Sequence, residues 1–279
     1  MLETEFQAGE LKLAALDNQG AGTVVIGLHG YLDNAASLAP LAPYLQSCRF
    51  IALDLPGHGQ SAHRPAGAHY HQFDFLQDLY ALIKENQFEN VILLGHSLGG
   101  ILATLYAAVF PEQVKAVISI DACGPLTLDP QTSAEQVRES VISRDKKRRN
   151  KLNMVDLDAA VKARCAVADI RPEHARAILS RNLTQDASGH CFWASDPRVR
   201  TKSTLRLTEP QAEAFMRSIE CPVLFLAADS SFKKVEQVYA KRQNWFSHCQ
   251  CKTFAGGHHI HMEKTDEIGC EIRQFVEQL

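Results

Sequence analysis

Apolar residues along the chain fall into short runs set apart by glycine, proline and polar clusters, and the runs are of two kinds. Val91-Ile92-Leu93-Leu94 is a continuous apolar stretch with branched side chains, the pattern of a strand buried on both faces. Residues 23–28, 50–53, 114–120 and 222–227 repeat it. Between these runs, residues 74–84 and 101–108 carry apolar side chains at helical spacing. Strands alternating with helices predict a mostly parallel sheet covered on both faces. Residues 11–16 and 23–28, joined by Asp17-Asn18-Gln19-Gly20-Ala21-Gly22, suit a hairpin. Ser37 stands where it would cap a helix over 38–45.

The alternation stops after the run at 114–120. Residues 124–218 are polar, charged and helix-prone, without a convincing strand. Strand character returns at 222–227 and 250–254, and a helical pattern over 266–278 closes the chain. The expected organisation is a core of residues 1–123 and 219–279 with a helical insertion, 124–218, lying over the carboxyl ends of the strands. Open parallel sheets bind ligands at that edge.

Composition narrows the classes. With 46% hydrophobic and 22% charged residues among 279, the chain reads as an ordinary globular protein. A net charge of -3 and the lack of a basic stripe with interleaved aromatics argue against nucleic-acid binding. No apolar run approaches the roughly twenty residues of a membrane-spanning helix, and the start lacks a secretory pattern, so a cytoplasmic protein without membrane insertion is expected. The eight cysteines are scattered without a C-x-x-C pair, which fits reduced thiols.

Chemistry concentrates where the run at 91–94 ends. Gly95-His96-Ser97-Leu98-Gly99-Gly100 leads directly into the helical pattern at 101–108. A strand, a sharp glycine-flanked turn carrying serine and a helix together make a nucleophile elbow. Its glycines are needed because neighbouring backbone lies too close for side chains. The helix N-terminus behind the serine favours developing negative charge.

Leu28-His29-Gly30, Asp54-Leu55-Pro56-Gly57-His58-Gly59, the elbow and Gly257-His258 occur in an order that resembles the α/β-hydrolase fold over almost the whole chain. Finer features are similar to the serine hydrolase-like, kraken-type branch: His29-Gly30-Tyr31-Leu32-Asp33-Asn34, Trp193-Ala194-Ser195-Asp196-Pro197-Arg198 and His258-His259-Ile260-His261-Met262. The resemblance implies an eight-stranded, mostly parallel sheet with helices on both faces and a helical lid. It also implies Ser97 as nucleophile and a glycine-preceded His258 as base, with His261 supporting and His259 as second choice. Serine, in place of the aspartate of epoxide hydrolases and haloalkane dehalogenases, fits an acyl-enzyme.

The acid departs from the usual pattern. Its usual position, in the turn after the seventh strand, holds Ser231, with Asp229 two residues earlier. A variant draws the acid from the end of the sixth strand, where Asp121 stands. Asp121 is the first candidate and Asp229 the alternative. The backbone N–H groups of Leu98 and Tyr31 are the expected oxyanion donors. His29, Leu32, Asp33, His96, Phe192, Trp193 and His259 are candidates for lining a substrate pocket, although His29 also reads as structural and the two aromatics equally as packing.

The glycine-rich loop 54–61 lacks a phosphate-loop ending, and the basic run 143–151 reads as a solvated helix face rather than an anion site. No carboxylate or cysteine at ligand spacing accompanies the histidines, so no metal is expected, and hydrolysis needs no cofactor. The expected activity is that of a carboxylic-ester hydrolase acting on a small molecule, as a monomer or homodimer. Thioester, lactone or carbon–carbon bond hydrolysis would use the same residues, and a non-catalytic ligand-binding protein is the other class.

Overall fold

The structure, a computed structural model, describes residues 1–147, 154–231 and 235–279. Strands β1 (Leu2–Ala8), β2 (Leu11–Asp17), β3 (Val24–Leu28), β4 (Arg49–Leu53), β5 (Val91–His96) and β6 (Val114–Ile120) precede the insertion. A small hairpin of β7 (Leu183–Gln185) and β8 (Cys191–Trp193) lies within it, and β9 (Val223–Ala228) and β10 (Cys249–Phe254) follow. The main sheet has eight strands in the order β1-β2-β4-β3-β5-β6-β9-β10. β1 and β2 pair antiparallel, as do β2 and β4; all other neighbours are parallel.

Helices α1 (Asp74–Glu85), α2 (Leu98–Val109), α7 (Val235–Arg242), α8 (Ile260–Glu263) and α9 (Thr265–Glu277) belong to the core. Alternate residues of the central strands face opposite layers. Leu93, Val117 and Phe225 pack with Leu79, Leu82, Leu102 and Tyr106 on one face. Leu94, Ile118 and Leu224 pack with Leu41, Ile268 and Ile272 on the other. Two buried faces explain why β5, β6 and β9 are apolar almost throughout.

Three sequence expectations are corrected. β2 and β3 do not form a hairpin: β3 lies between β4 and β5, and β4 separates it from β2. The hairpin is β1–β2, turning at Gly9, whose φ of 61° suits glycine. The predicted helix over 38–45 is instead two short 3-10 turns, Ala35–Ser37 and Ala39–Tyr44. Pro40 and Pro43 lack the N–H groups a regular helix would need. Asn34, rather than Ser37, is the cap, accepting from the Ala36 N–H. Finally, the insertion is not wholly helical, since β7–β8 sits among α3 (Ser133–Lys147), α4 (Leu157–Val167), α5 (Pro172–Arg181) and α6 (Glu209–Arg217).

Buried polar contacts fasten the insertion to the core. Arg181 at the end of α5 donates through Nε to both Asp54 carboxylate oxygens at 3.0 Å. Asn34 donates to the Ile178 carbonyl at 2.7 Å. In the Asp196-Pro197-Arg198 motif, the Asp196 N–H donates to the Gly57 carbonyl, and the Arg198 guanidinium donates to the carbonyls of Arg64, Pro65 and Ala68. That motif is a clamp on the loop region it faces. Of the basic run, residues 148–151 lie outside the described residues, and Arg144 donates to Thr204 Oγ1 at 2.5 Å. No helix among the described residues is long and apolar enough to cross a membrane.

Candidate active site

Ser97 sits between β5 and α2 with φ 51° and ψ -110°, a conformation outside the ordinary wells for a non-glycine residue. Its own N–H donates to the Ile120 carbonyl at 2.9 Å, and its carbonyl accepts from the Ile101 N–H at 3.1 Å. The turn is possible because its flanks carry no side chains. A Cβ on Gly95 would lie 2.2 Å from Gly99 backbone, and one on Gly99 would lie 1.9 Å from the Leu28 carbonyl oxygen.

At the end of β6, Asp121 is fully buried, with φ 49°. Its N–H donates to the Leu226 carbonyl at 2.8 Å, which draws the residue toward β9. Its Oδ1 accepts from the Ala228 N–H at 3.2 Å. Its Oδ2 meets two side chains, the Ser231 hydroxyl at 2.5 Å and His258 Nδ1 at 2.5 Å. A carboxylate there places the ring proton on Nδ1 and the lone pair on Nε2. Asp229 is elsewhere: its Oδ1 accepts from the Gly256 N–H and the Ser230 hydroxyl in an exposed turn. Of the two sequence candidates, only Asp121 reaches His258. His259, the second choice for the base, bonds to Asp33 at 3.3 Å instead.

Three cavities meet at Ser97. One, of about 500 Å³, is lined by Ser97, His258, Asp33, His96, His259 and Tyr31, among others. A second, of about 170 Å³, runs from Ser97 past Ala122, Cys123, Leu126 and Val238 and is mainly apolar. The third, about 290 Å³, is lined by Ser97, Leu98, Tyr31, Arg200, Lys202 and Arg206, among others. Leu98 and Tyr31 therefore share a cavity with the serine.

Of the predicted pocket residues, Asp33, His96 and His259 do line the cavity. His29, Leu32, Phe192 and Trp193 line none of the three. His29 is fully buried and accepts the Leu55 N–H on Nε2, so it holds the 54–61 loop. Leu32 takes a left-handed φ of 63° in a turn. Trp193 packs on the α4–α5 cluster around Val161 and Ile178. Sequence reasoning missed Arg164, whose guanidinium meets Asp33 Oδ1 at 2.5 Å, and it gave Ser231 no role.

Around His258 lies a dense histidine group. The His96 ring centre is 4.7 Å from that of His258, 5.2 Å from His259 and 4.2 Å from His261. Burial pushes the pKa of His96 and of His261 well below the usual histidine value, so both rings are neutral. For Asp33, burial disfavours the charge, but the hydrogen bond from His259 and the nearby Arg164 outweigh it and hold the carboxyl ionised. Burial pushes the Cys123 thiol up to about 12, making it inert within its cavity.

Residues 23–265 match the family of the α/β hydrolase fold. The chain belongs to that family. Within it the chain falls in the serine hydrolase-like branch. It is 31% identical over 269 residues to a probable serine hydrolase of Drosophila melanogaster, covering 91% of this chain and 81% of that protein. A hypothetical protein of Pseudomonas aeruginosa PAO1 superimposes with a TM-score of 0.90 at 32% identity, over 99% of this chain and 100% of the other. The thioesterase domain from the curacin biosynthetic pathway shares the fold, with a TM-score of 0.80 at 23% identity over 98% of each chain. The family accounts for the order of the glycine motifs, the elbow and the histidine after the last strand.

Proposed function

We propose that this hydrolase cleaves small carboxylic esters through Ser97, His258 and Asp121, by way of an acyl-enzyme. The observation that carries the reading is the 2.5 Å contact between Asp121 Oδ2 and His258 Nδ1 beside a serine held on a strained elbow. Serine alone is a weak nucleophile and needs a neighbouring base. His258 Nε2 takes the Ser97 proton as Oγ bonds to the ester carbonyl carbon. The resulting oxyanion receives the N–H groups of Leu98 and Tyr31. His258 then hands the proton to the departing alkoxide, and the carbon–oxygen bond breaks. Water, deprotonated by the same ring, attacks the acyl-enzyme, and the carboxylic acid leaves as Ser97 regains its proton. Buried Asp121 orients the ring and stabilises its cationic form throughout.

The residues of the insertion act as a lid, with Arg200, Lys202 and Arg206 reaching one of the cavities at Ser97. The about 170 Å³ apolar cavity suits a short acyl chain. Because His258 protonates the leaving group, the larger cavity that holds Ser97 and His258 together takes the alcohol. A fluorophosphonate probe tests the assignment. The expected result is stoichiometric labelling on the peptide containing Ser97, with turnover of p-nitrophenyl acetate, both lost in Ser97→Ala. A folded wild-type protein that neither labels nor turns over the ester would overturn it.

A further inference from the structure

Beside His258, the wall of the about 500 Å³ cavity contains a buried cluster that ester hydrolysis leaves without a task. Asp33, His96 and His259 all face that cavity. One possible ligand atom from each lies within 4.8 Å of the other two. Their hydrogen bonds decide which atoms are available. His96 Nε2 lies 2.8 Å from the His258 carbonyl oxygen, which can only accept, so Nε2 carries the proton. In a neutral ring Nδ1 then presents a lone pair, and that atom is buried without a partner. It points at Asp33 Oδ2, 3.7 Å away, and an ionised carboxylate has no proton to offer. Two acceptors thus confront each other with no donor between them.

A cation resolves that confrontation. His259 Nε2 lies 3.3 Å from the same Asp33 oxygen, and its Nδ1 is also buried without a partner. Moving the His259 proton from Nε2 to Nδ1 frees the inward lone pair without releasing a proton. Zinc bonds of about 2.0–2.2 Å in a tetrahedron give ligand-to-ligand edges of roughly 3.3–3.5 Å. The 3.3 Å and 3.7 Å separations already approach two such edges. Arg164 occupies the other Asp33 oxygen and leaves Oδ2 as the ligating atom.

We propose that Asp33 Oδ2, His96 Nδ1 and His259 Nε2 bind a divalent transition ion such as zinc, and that this ion inhibits the hydrolase reversibly. The remaining coordination positions open on the cavity shared by Ser97 and His258, so the ion and its waters take up the space of the leaving group. The inhibitory half rests on the reading of Ser97 as nucleophile; the binding half does not.

Titration of tag-free protein with cobalt(II) tests the site by its spectrum, independently of turnover. The expected result is one equivalent of cobalt with visible bands and no thiolate charge-transfer band, displaced by zinc. His259→Gln, shown to be folded by its thermal transition, should lose that spectrum. Zinc should also raise the melting temperature of the wild type, because it binds the folded state. Fluorophosphonate labelling of Ser97 should slow by tenfold or more with zinc and recover with a chelator, within the roughly 10²–10⁴ that a general base contributes. No cobalt spectrum, a thiolate band from the cysteines, or an unchanged spectrum in folded His259→Gln would each overturn the site. Binding with unchanged labelling overturns the inhibitory role alone. A protein that never labels at Ser97 refutes the hydrolytic reading and leaves the metal result standing.

Discussion

The Ser231 hydroxyl donates to Asp121 Oδ2 at 2.5 Å, onto the same oxygen that meets His258. The position where relatives of this fold usually carry the acid therefore holds a donor to a carboxylate from another strand, the one proposed here as the acid. The arrangement predicts unequal effects for three variants. Asp121→Asn should lower kcat for a p-nitrophenyl ester by roughly 10³–10⁴, since an amide favours the wrong tautomer of His258. Asp229→Asn should stay within about twofold of wild type, because its contacts end in an exposed turn. Ser231→Ala should fall between them. Steady-state rates of the three proteins check the ordering, and an Asp229→Asn loss as large as that of Asp121→Asn would sink it.

Gly99 touches the strand beside it more closely than any side chain permits. With the Leu28 carbonyl oxygen 1.9 Å from where its Cβ would stand, the helix cannot keep its place against β3 if a methyl group is added. The obstacle is backbone, so no rotamer change relieves it. Gly99→Ala should destabilise the fold by about 3 kcal/mol or more, at the upper end of overpacking effects. Urea denaturation measures this directly. Exposed Gly67, with nothing near its Cβ position but a φ of 90°, should by contrast show only the smaller cost of its backbone conformation when changed to alanine.

Buried neutral histidines give stability a sign with pH. Burial lowers His29 to about 4 and His58 to about 3 from an ordinary 6.5, and the two rings stand 5.0 Å apart. Below 6.5 the unfolded chain takes up protons that these folded rings refuse. Their contribution is complete above that value and is lost as pH falls toward the folded values. Going from about pH 7.5 to about pH 5 should cost on the order of 2–4 kcal/mol from this pair. His96 and His261 act in the same direction. Chemical denaturation at the two pH values checks the sign; unchanged stability would mean that the rings charge freely in the folded state.

What could be read from the chain depended on how local its cause was. The elbow was legible because Gly95, Ser97 and Gly99 answer to one another within a few residues. The chain put Asp121 first but kept Asp229 as an alternative, because the difference between them depends on β6 lying beside β9, where the Asp121 N–H finds the Leu226 carbonyl. Turn chemistry at 17–22 resembled a hairpin, yet β2 is claimed by β1, whose sequence Leu-Glu-Thr-Glu-Phe-Gln-Ala is polar enough to hide an edge strand. Phe192 and Trp193 looked equally suited to packing and to a pocket, and only their placement on β8 separates the two. Asp33 and His259, 226 positions apart in the chain by number, meet only once the loop after β3 and the loop after β10 converge at one sheet edge.

The third cavity at Ser97 is the most polarised. Among the described residues, Lys202 pairs with Glu139, whereas Arg200 and Arg206 pair with no carboxylate. Two guanidinium groups without a carboxylate partner in a cavity that also holds the serine favour an anionic acyl group, which would extend there rather than into the apolar cavity that suits a short neutral chain. In water, a charge about 4 Å away is worth about 1 kcal/mol, or roughly fivefold in affinity for each guanidinium. Arg200→Gln with Arg206→Gln should therefore raise KM for a p-nitrophenyl hemiester of a dicarboxylic acid by about tenfold or more, with little change for the neutral ester of matched length. Added salt should narrow the wild-type preference, because exposed charges are screened. Paired kinetics on the two esters at low and high salt decide it: equal KM values for both esters in the wild type would show that these cations face solvent and not the substrate.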